Sequence, residues 1–184
     1  MPLPGGPECV YDCGKEWQGQ AIMRGIRVLL LLAVLLAATG CSKFRTYNGP
    51  EVTQINVFKS SRTMALMHHD QTLEVFEFEL GFAPTGHKVF EGDGRTPEGF
   101  YFIDRRNPNS DFHLSIGISY PDAEDLARAL EMELDPGGEI FIHGTPRMFA
   151  GMDDWTNGCI AVSNRDMEKI YAMVQNGTPI AIYP

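Results

Sequence analysis

The sequence predicts a mixed, β-dominated domain, a curved sheet or sandwich with two helices late in the chain. Three observations lead to this fold class. Short segments of alternating apolar and polar residues, separated by turn residues, recur along the chain and are typical of strands. Only two segments, both after residue 121, have apolar residues at helical spacing. The residues that follow an N-terminal leader and a short polar tether number roughly 134, the size of one domain with its own core.

The predicted strands follow one another at short intervals. They are expected over residues 52–59, 64–67, 73–80, 100–104, 112–119, 139–143, 159–162 and 179–183. The third strand has the period of a half-buried strand, because Phe76, Phe78 and Leu80 alternate with glutamates. It is expected to pair with the second strand as a hairpin. Residues 81–99 form a long polar loop, and long loops in compact domains are often functional.

Two helices are predicted between the later strands. The first covers residues 122–133, with Asp122 as its N-cap. The second follows the capping residue Ser163 and ends at Gly177. Residues 144–157 are expected to be irregular. Each helix has an apolar face, formed by Leu126, Ala129 and Leu130 in the first and by Met167, Ile170, Tyr171 and Val174 in the second.

The N-terminal segment has the pattern of an export signal. Residues 28–38 are an unbroken apolar run that follows two arginines, and the run is shorter than the ~20 residues of a membrane-spanning helix. The sequence Ala38-Thr39-Gly40-Cys41 resembles a bacterial lipobox, which directs lipidation of Cys41 and cleavage before it. The alternative is an ordinary signal peptide cut near Gly40, with Cys41 unmodified.

The chain therefore divides into four parts. Residues 1–22 contain acids and prolines ahead of the basic region, and we interpret them as a start-site extension before Met23. Residues 23–40 are the lipoprotein signal peptide, 41–50 a polar tether and 51–184 the folded domain. The chain carries a formal net charge of −9 at pH 7. Such an acidic chain argues against nucleic acid as a partner, because binding phosphates requires clustered Lys and Arg.

Cys159 is the residue with the strongest chemical signal. Once the leader is removed and Cys41 is lipidated, it has no cysteine partner in an exported protein. His143, at the end of a predicted strand, could accept the thiol proton and return it to a leaving amine. Gly158 allows close approach of a substrate, and the N–H groups around Gly158 and Cys159 are candidates for an oxyanion hole. The alternative is a buried structural cysteine beside a core histidine.

Several motifs carry a resemblance to a known family. They are Ile142-His143-Gly144-Thr145, the residues 155–160 and Gly177-Thr178-Pro179-Ile180, together with residues 80–88, 91–99 and Ser119-Tyr120-Pro121. In combination they resemble the L,D-transpeptidase catalytic domain, the YkuD family, in its YafK-like branch. The resemblance covers about residues 52–184. It implies a β-sandwich-like fold that acts on peptidoglycan stem peptides, at the bond between meso-diaminopimelate and a terminal D-residue.

The resemblance also implies roles for residues. Cys159 is the nucleophile that forms a thioester, His143 is its base, and the backbone carbonyl of Gly144 orients the imidazole. The dyad predicts thiolate formation below the free-thiol pKa of about 8.5. No His, Cys and acidic residues have a recognised zinc spacing, so neither a metal nor a cofactor is predicted.

Two positions depart from the family pattern. Asn157 replaces a second histidine and cannot titrate, and Ala161 replaces an arginine that would bind a carboxylate. Both changes affect the acceptor half of transpeptidation more than thiol attack. Hydrolysis therefore stays an alternative, since the YafK-like branch has been linked to releasing lipoproteins from peptidoglycan. A non-catalytic peptidoglycan-binding lipoprotein is the other alternative, although it would need neither Cys159 nor His143.

Further polar residues are candidates for substrate binding. Thr156 and Asn157 adjoin the nucleophile. The long loop contains four more, His87, Glu91, Asp93 and Arg95, and Arg95 could bind a carboxylate in place of the absent arginine. The alternative is a hydrogen-bonded turn network that only shapes the loop. Trp155 is expected to pack and to fix the loop that enters the site.

The expected partners follow from the leader and the resemblance. They are peptidoglycan stem peptides, a peptidoglycan-linked lipoprotein, and the membrane through a lipid anchor. The expected location is the periplasm. Ser42 follows Cys41 where an aspartate would retain a lipoprotein in the inner membrane, so the outer membrane is favoured.

Overall fold

The alternating apolar segments build eight strands around one core. The computed structural model describes residues 42–184; the predicted extension, the signal peptide and Cys41 lie outside the described residues. The elements are β1 (Gln54–Phe58), β2 (Thr63–His68), β3 (Gln71–Glu77), β4 (Gly99–Asn107), β5 (Ser115–Ile118), α1 (Ala123–Glu131), β6 (Phe141–Gly144), a 3₁₀ turn (Arg147–Phe149), β7 (Ile160–Val162), α2 (Asn164–Met173) and β8 (Pro179–Tyr183).

All eight strands belong to one curved sheet in the order β3-β2-β1-β8-β4-β5-β6-β7. Most neighbours are antiparallel, but β1 and β8 are parallel, and so are β6 and β7. β4 joins the two halves, because its first residues pair with β8 and its last residues pair with β5. Beyond β3, Glu79 bridges to Ala161 in β7, so the two edges meet and the sheet nearly closes. The predicted β-dominated fold with two late helices is confirmed.

The core lies inside this curved sheet and under α2. Phe76, Phe78 and Leu80 are buried as their alternation predicts. In α2, Met167 and Ile170 are fully buried, and the helix packs against β5 and β6. This packing fixes the position of β6, the strand that carries His143.

Two strands begin later than the sequence predicts, for a shared reason. β5 was expected from residue 112 and β6 from residue 139. His113 and Glu139 both have positive φ angles, 73° and 55°, a conformation that interrupts a strand. The positive φ changes the direction of the chain just before each strand, and Phe112 and Glu139 both line one cavity.

The prediction that Leu126, Ala129 and Leu130 form a buried face of α1 is largely wrong. Ala129 is buried, but Leu126 and Leu130 are 51% and 78% exposed. The residue that points inward is Asp125, which accepts a hydrogen bond from the hydroxyl of Tyr101 and completes a capping box with Asp122. Polar contacts therefore set the orientation of this helix, and its leucines face outward.

The end of α2 also differs from the prediction. The helix stops at Met173 with Val174 as its C-cap, not at Gly177. Gly177 instead donates its backbone N–H to the carbonyl of Ile103, in the turn that leads into β8.

The described part of the predicted tether contacts the domain. Lys43 Nζ donates to the carbonyl oxygens of Pro108 and His113, at 2.7 and 2.9 Å. Arg45 donates twice to one carboxylate oxygen of Glu168. These bonds hold Lys43 against the loop that precedes β5 and Arg45 against α2. Among residues 42–184, no helix combines the length and the hydropathy that crossing a bilayer requires.

Candidate active site

The sheet places His143 and Cys159 on the same face. In the parallel pair β6–β7, His143 lies opposite Ala161. Cys159 precedes Ala161 by two residues, so strand alternation directs both side chains to the same side. Both residues line one cavity of about 510 Å³. The shared cavity favours the reading of a reactive pair over that of two unrelated core residues.

His143 is held by its own strand and by two aromatic rings. Its Nδ1 lies 2.8 Å from the carbonyl oxygen of Gly144. Because a carbonyl only accepts, Nδ1 carries the hydrogen and Nε2 is the acceptor nitrogen. The imidazole packs against Phe112 and Trp155, with ring centroids 4.5 and 5.6 Å away, and the centroids of those two rings are 6.0 Å apart. Burial lowers the pKa of His143, and the bond to Gly144 opposes this only in part. The imidazole is therefore neutral near pH 7, as a base must be.

Cys159 is half-buried and is expected to rest as a thiol. Its Sγ lies 3.6 Å from the carbonyl oxygen of Glu139, to which it donates. Burial raises the pKa of Cys159, and the backbone N–H of Phe141 and the charge of Lys88 offset this only partly. This direction is opposite to the lowered thiol pKa predicted from the sequence. The cause is desolvation, which disfavours the thiolate and which sequence spacing does not reveal.

Gly158 is required by both conformation and space. Its φ is 121°, and a Cβ there would collide with the carbonyl oxygen of Arg95. Its own carbonyl accepts from the buried hydroxyl of Thr96 at 2.8 Å. Its N–H donates to the hydroxyl of Thr156 at 3.1 Å, and that hydroxyl donates to the carbonyl of Cys159. The N–H of Gly158 is thus already bonded to Thr156 and is not available as an oxyanion donor.

Gly158→Ala should destabilise the domain and displace Cys159. The positive φ and the steric conflict with Arg95 together predict a loss of about 2–5 kcal/mol in the free energy of unfolding. Gly92→Ala is the matched control, because Gly92 has φ of 83° but no atom within 4 Å of an added Cβ. That control should lose only about 1 kcal/mol. Urea denaturation of the two variants measures the difference, and equal losses would contradict the role of packing at Gly158.

The cavity is lined by acidic, polar and aromatic side chains. They are Asn107, Ser110, Asp111, Phe112, Ser115, Glu139, Phe141, His143, Phe149, Trp155, Thr156, Asn157 and Cys159. None of these lining residues is a lysine or an arginine. Trp155 stacks on Phe149 with centroids 4.2 Å apart and planes at 5°. The stacked pair fixes the loop after β6, as predicted for Trp155.

The predicted substrate-binding residues separate into two groups. Thr156 and Asn157 line the cavity. The four residues of the long loop do not. His87 Nε2 lies 2.9 Å from Asp125, next to α1. The backbone N–H of Glu91 donates to Asp135.

Asp93 and Arg95 organise the loop itself. Asp93 accepts from the backbone N–H groups of Val89 and Arg95 and pairs with the buried Lys88. Burial alone would raise the pKa of Asp93, but these donors outweigh it and lower the pKa. The side chain of Arg95 lies beside Gly86, away from Cys159. The contacts of Asp93 match the loop-shaping alternative, and the loop reaches the site through its backbone against Gly158.

Three contributors to the site were not predicted. Phe112 was assigned to a strand, but it precedes His113, whose φ is positive, and its ring contacts that of His143. Glu139 was also assigned to a strand, yet its carbonyl accepts from the thiol. Thr96 belongs to a quoted motif, so a sequence signal existed for it, but its bond to Gly158 depends on the tertiary fold. Within the described residues, no group of three or more His, Cys, Asp or Glu could hold a metal ion.

Comparisons with known proteins identify the family of the domain. A family model described as the YkuD L,D-transpeptidase catalytic domain matches residues 53–182. Among curated proteins, YafK of Escherichia coli K12, provisionally named an L,D-transpeptidase, is 29% identical over 143 residues. The alignment covers 71% of this chain and 53% of YafK.

Solved structures support the fold. Pgp2 of Campylobacter jejuni, a helical cell shape determining protein, superposes with a TM-score of 0.58 at 23% identity, covering 80% of this chain and 53% of Pgp2. Bd1075 of Bdellovibrio bacteriovorus gives 0.54 at 23% identity, covering 72% of this chain and 48% of Bd1075. The chain thus spans about half the length of these relatives.

Proposed function

Because this chain belongs to the YkuD family of L,D-transpeptidase catalytic domains, we propose that it is a peptidoglycan L,D-transpeptidase. Its substrate is a stem peptide, cleaved after meso-diaminopimelate through a thioester on Cys159. The observation that carries the proposal is one cavity that contains both the Cys159 thiol and a neutral His143. The imidazole is fixed through Nδ1 by Gly144, which leaves Nε2 as the proton acceptor.

In the first half-reaction the enzyme is acylated. Nε2 of His143 removes the proton of Cys159 as Sγ bonds to the carbonyl carbon of meso-diaminopimelate. The carbonyl π electrons move onto oxygen, and they return as the C–N bond to the terminal D-residue breaks. The imidazolium then gives its proton to the departing amine. A thioester remains, and His143 is again neutral.

In the second half-reaction an acceptor resolves the thioester. An amine of another stem peptide attacks the same carbonyl carbon and loses a proton to His143. A C–N bond forms, the C–S bond breaks, and the proton returns to Sγ. If water is the acceptor, a C–O bond forms instead and the product is a carboxylic acid. Transpeptidation and hydrolysis use the same catalytic residues and differ only in whether an amine or water enters the cavity as the acceptor.

Hydrolysis is the second candidate function. It is favoured by the composition of the cavity, whose lining residues include Asp111 and Glu139 but no lysine or arginine. Ala161, buried opposite His143, leaves no cation at the position where the family has arginine. Asn157 lines the cavity without a titratable group. The lining residues themselves offer no cation to the carboxylate of an acceptor stem peptide, so water is a candidate acceptor and a lipoprotein linkage is a candidate substrate.

Mass spectrometry of muropeptides incubated with the purified mature protein tests both functions. A new cross-linked dimer, with loss of the terminal D-residue, supports transpeptidation. Loss of the terminal residue, or release of a linked lipoprotein, without new cross-links supports hydrolysis. Binding to sacculi with unchanged stem peptides would overturn both and leave the non-catalytic peptidoglycan-binding lipoprotein.

The proposal places the enzyme in the periplasm on a lipid anchor at Cys41, with the outer membrane favoured. The support is the lipobox-like sequence and Ser42 after it. Labelled palmitate should enter the wild type but not Cys41→Ser. Equal labelling of both proteins would exclude the anchor at this residue.

A further inference from the structure

We propose that Arg105 binds the terminal carboxylate of the stem peptide at the rim of the cavity. In the free protein its guanidinium is held there by Glu139, which the substrate carboxylate displaces. This inference rests on the proposed function and deepens it, because it assigns the residue that selects substrates with a free carboxyl end. Arg105 also provides a positive charge next to a cavity whose lining residues include no lysine or arginine.

The position of Arg105 is set by the end of β4. Its guanidinium lies 4.5 Å from the centroid of Phe141, in cation–π geometry. One nitrogen lies 3.2 Å from a carboxylate oxygen of Glu139, and another lies 2.8 Å from Asp104. Phe141 and Glu139 both line the cavity. The guanidinium therefore contacts two of the residues that line the cavity containing Cys159, although Arg105 does not line it in the free protein.

Arg105 is available to a substrate, whereas the other nearby cation is not. The charges of Lys88 and Arg105 both favour the thiolate of Cys159. The Lys88 side chain is only 3% exposed and is paired with Asp93, which is equally buried. The Arg105 side chain is 38% exposed. Of these two cations, only Arg105 can meet a ligand without breaking a buried ion pair.

The ion pair between Arg105 and Glu139 can be replaced by a pair between Arg105 and a substrate carboxylate. The side chain of Glu139 is 81% exposed, and a solvent-exposed ion pair contributes only about 0–1 kcal/mol. A substrate carboxylate can replace it with little loss and can accept two parallel hydrogen bonds from the planar guanidinium. The backbone carbonyl of Glu139 accepts from the Cys159 thiol. The residue whose side chain gives up its ion pair therefore also contacts the thiol through its backbone, and it lines the cavity in which the stem peptide would be bound.

The test compares two stem tetrapeptides that differ only in the terminal group, a free carboxylate or a primary amide. For Arg105→Gln, KM for the free acid should rise about 10–100-fold, the effect of losing hydrogen bonds to a charged group. KM for the amide and kcat for both substrates should change little. Glu139→Gln removes the competing carboxylate and should lower KM for the free acid only. Arg128→Gln on α1, where the arginine pairs with Glu124, is the matched control and should leave both substrates unchanged.

Calorimetric binding to Cys159→Ala gives a readout that does not need turnover. The double variant with Arg105→Gln should lose affinity for the free acid and keep its affinity for the amide. Equal losses for both peptides, or no loss for either, would overturn the role of Arg105. If the peptides bind with this difference but wild type converts neither, the proposed function fails while the carboxylate site stands.

Discussion

Cys159→Ala should abolish conversion of stem peptides while leaving the domain folded. The thioester cannot form without Sγ, so the expected loss is on the order of 10⁴-fold or more in kcat/KM. The folded state should change little, because Cys159 is only half-buried and its side chain donates one long hydrogen bond to Glu139. The free energy of unfolding should shift by no more than about 1 kcal/mol. Muropeptide conversion and urea denaturation, measured on the same preparation, separate the two effects.

Cys159→Ser and Met148→Ala complete this experiment. Serine keeps the shape of the side chain but is a far weaker nucleophile near a neutral imidazole, so its activity should also be lost. Met148 lies in the loop after β6 and is 78% exposed, so its replacement reports on nonspecific damage to that loop. Conversion by Cys159→Ala at a rate near that of the wild type would remove this residue from the mechanism.

The sequence identified the candidate catalytic residues where its signal is local. Cys159 and His143 were found because the motifs around them are contiguous, and both adjoin strands whose apolar patterns are clear. Their presence in one cavity follows from the parallel pairing of β6 and β7, which sets His143 opposite Ala161, two residues beyond Cys159. The alternation in β3 likewise gave the correct buried face, because one strand carries that signal by itself.

Predictions failed where distant contacts decide the outcome. The leucines of α1 looked like a buried face, but Asp125 turns inward because Tyr101, from β4, offers it a hydrogen bond. The carboxylate of Asp93 looked available to substrate, yet it binds the backbone of its own loop. The rim position of Arg105 depends on the register of β4 and on the positive φ of Glu139. The pattern of apolar residues in the sequence carries no signal for the contacts of Asp125, Asp93 or Arg105.

His143→Ala should slow acylation strongly but should leave the pKa of the resting Cys159 thiol nearly unchanged. Loss of a general base lowers kcat/KM by about 10²–10⁴-fold. In the wild type, burial lowers the pKa of His143 below its usual value of about 6.5. The imidazole therefore stays neutral and active in mildly acidic solution. The acid limb of the pH profile of kcat/KM should lie below pH 6.5 and should disappear in His143→Ala.

Alkylation by iodoacetamide tests the resting state of the same pair. Burial raises the pKa of Cys159, so the rate of alkylation should inflect above about 8.5 in the wild type. His143→Ala should keep a high inflection, because the neutral imidazole acts as the proton leaves and does not stabilise a resting thiolate. His68→Ala, at the end of β2, is the matched control and should match the wild type in both assays. An inflection well below 8.5 that depends on His143 would instead indicate a preformed thiolate–imidazolium pair. An unchanged kcat/KM in His143→Ala would exclude this histidine as the base.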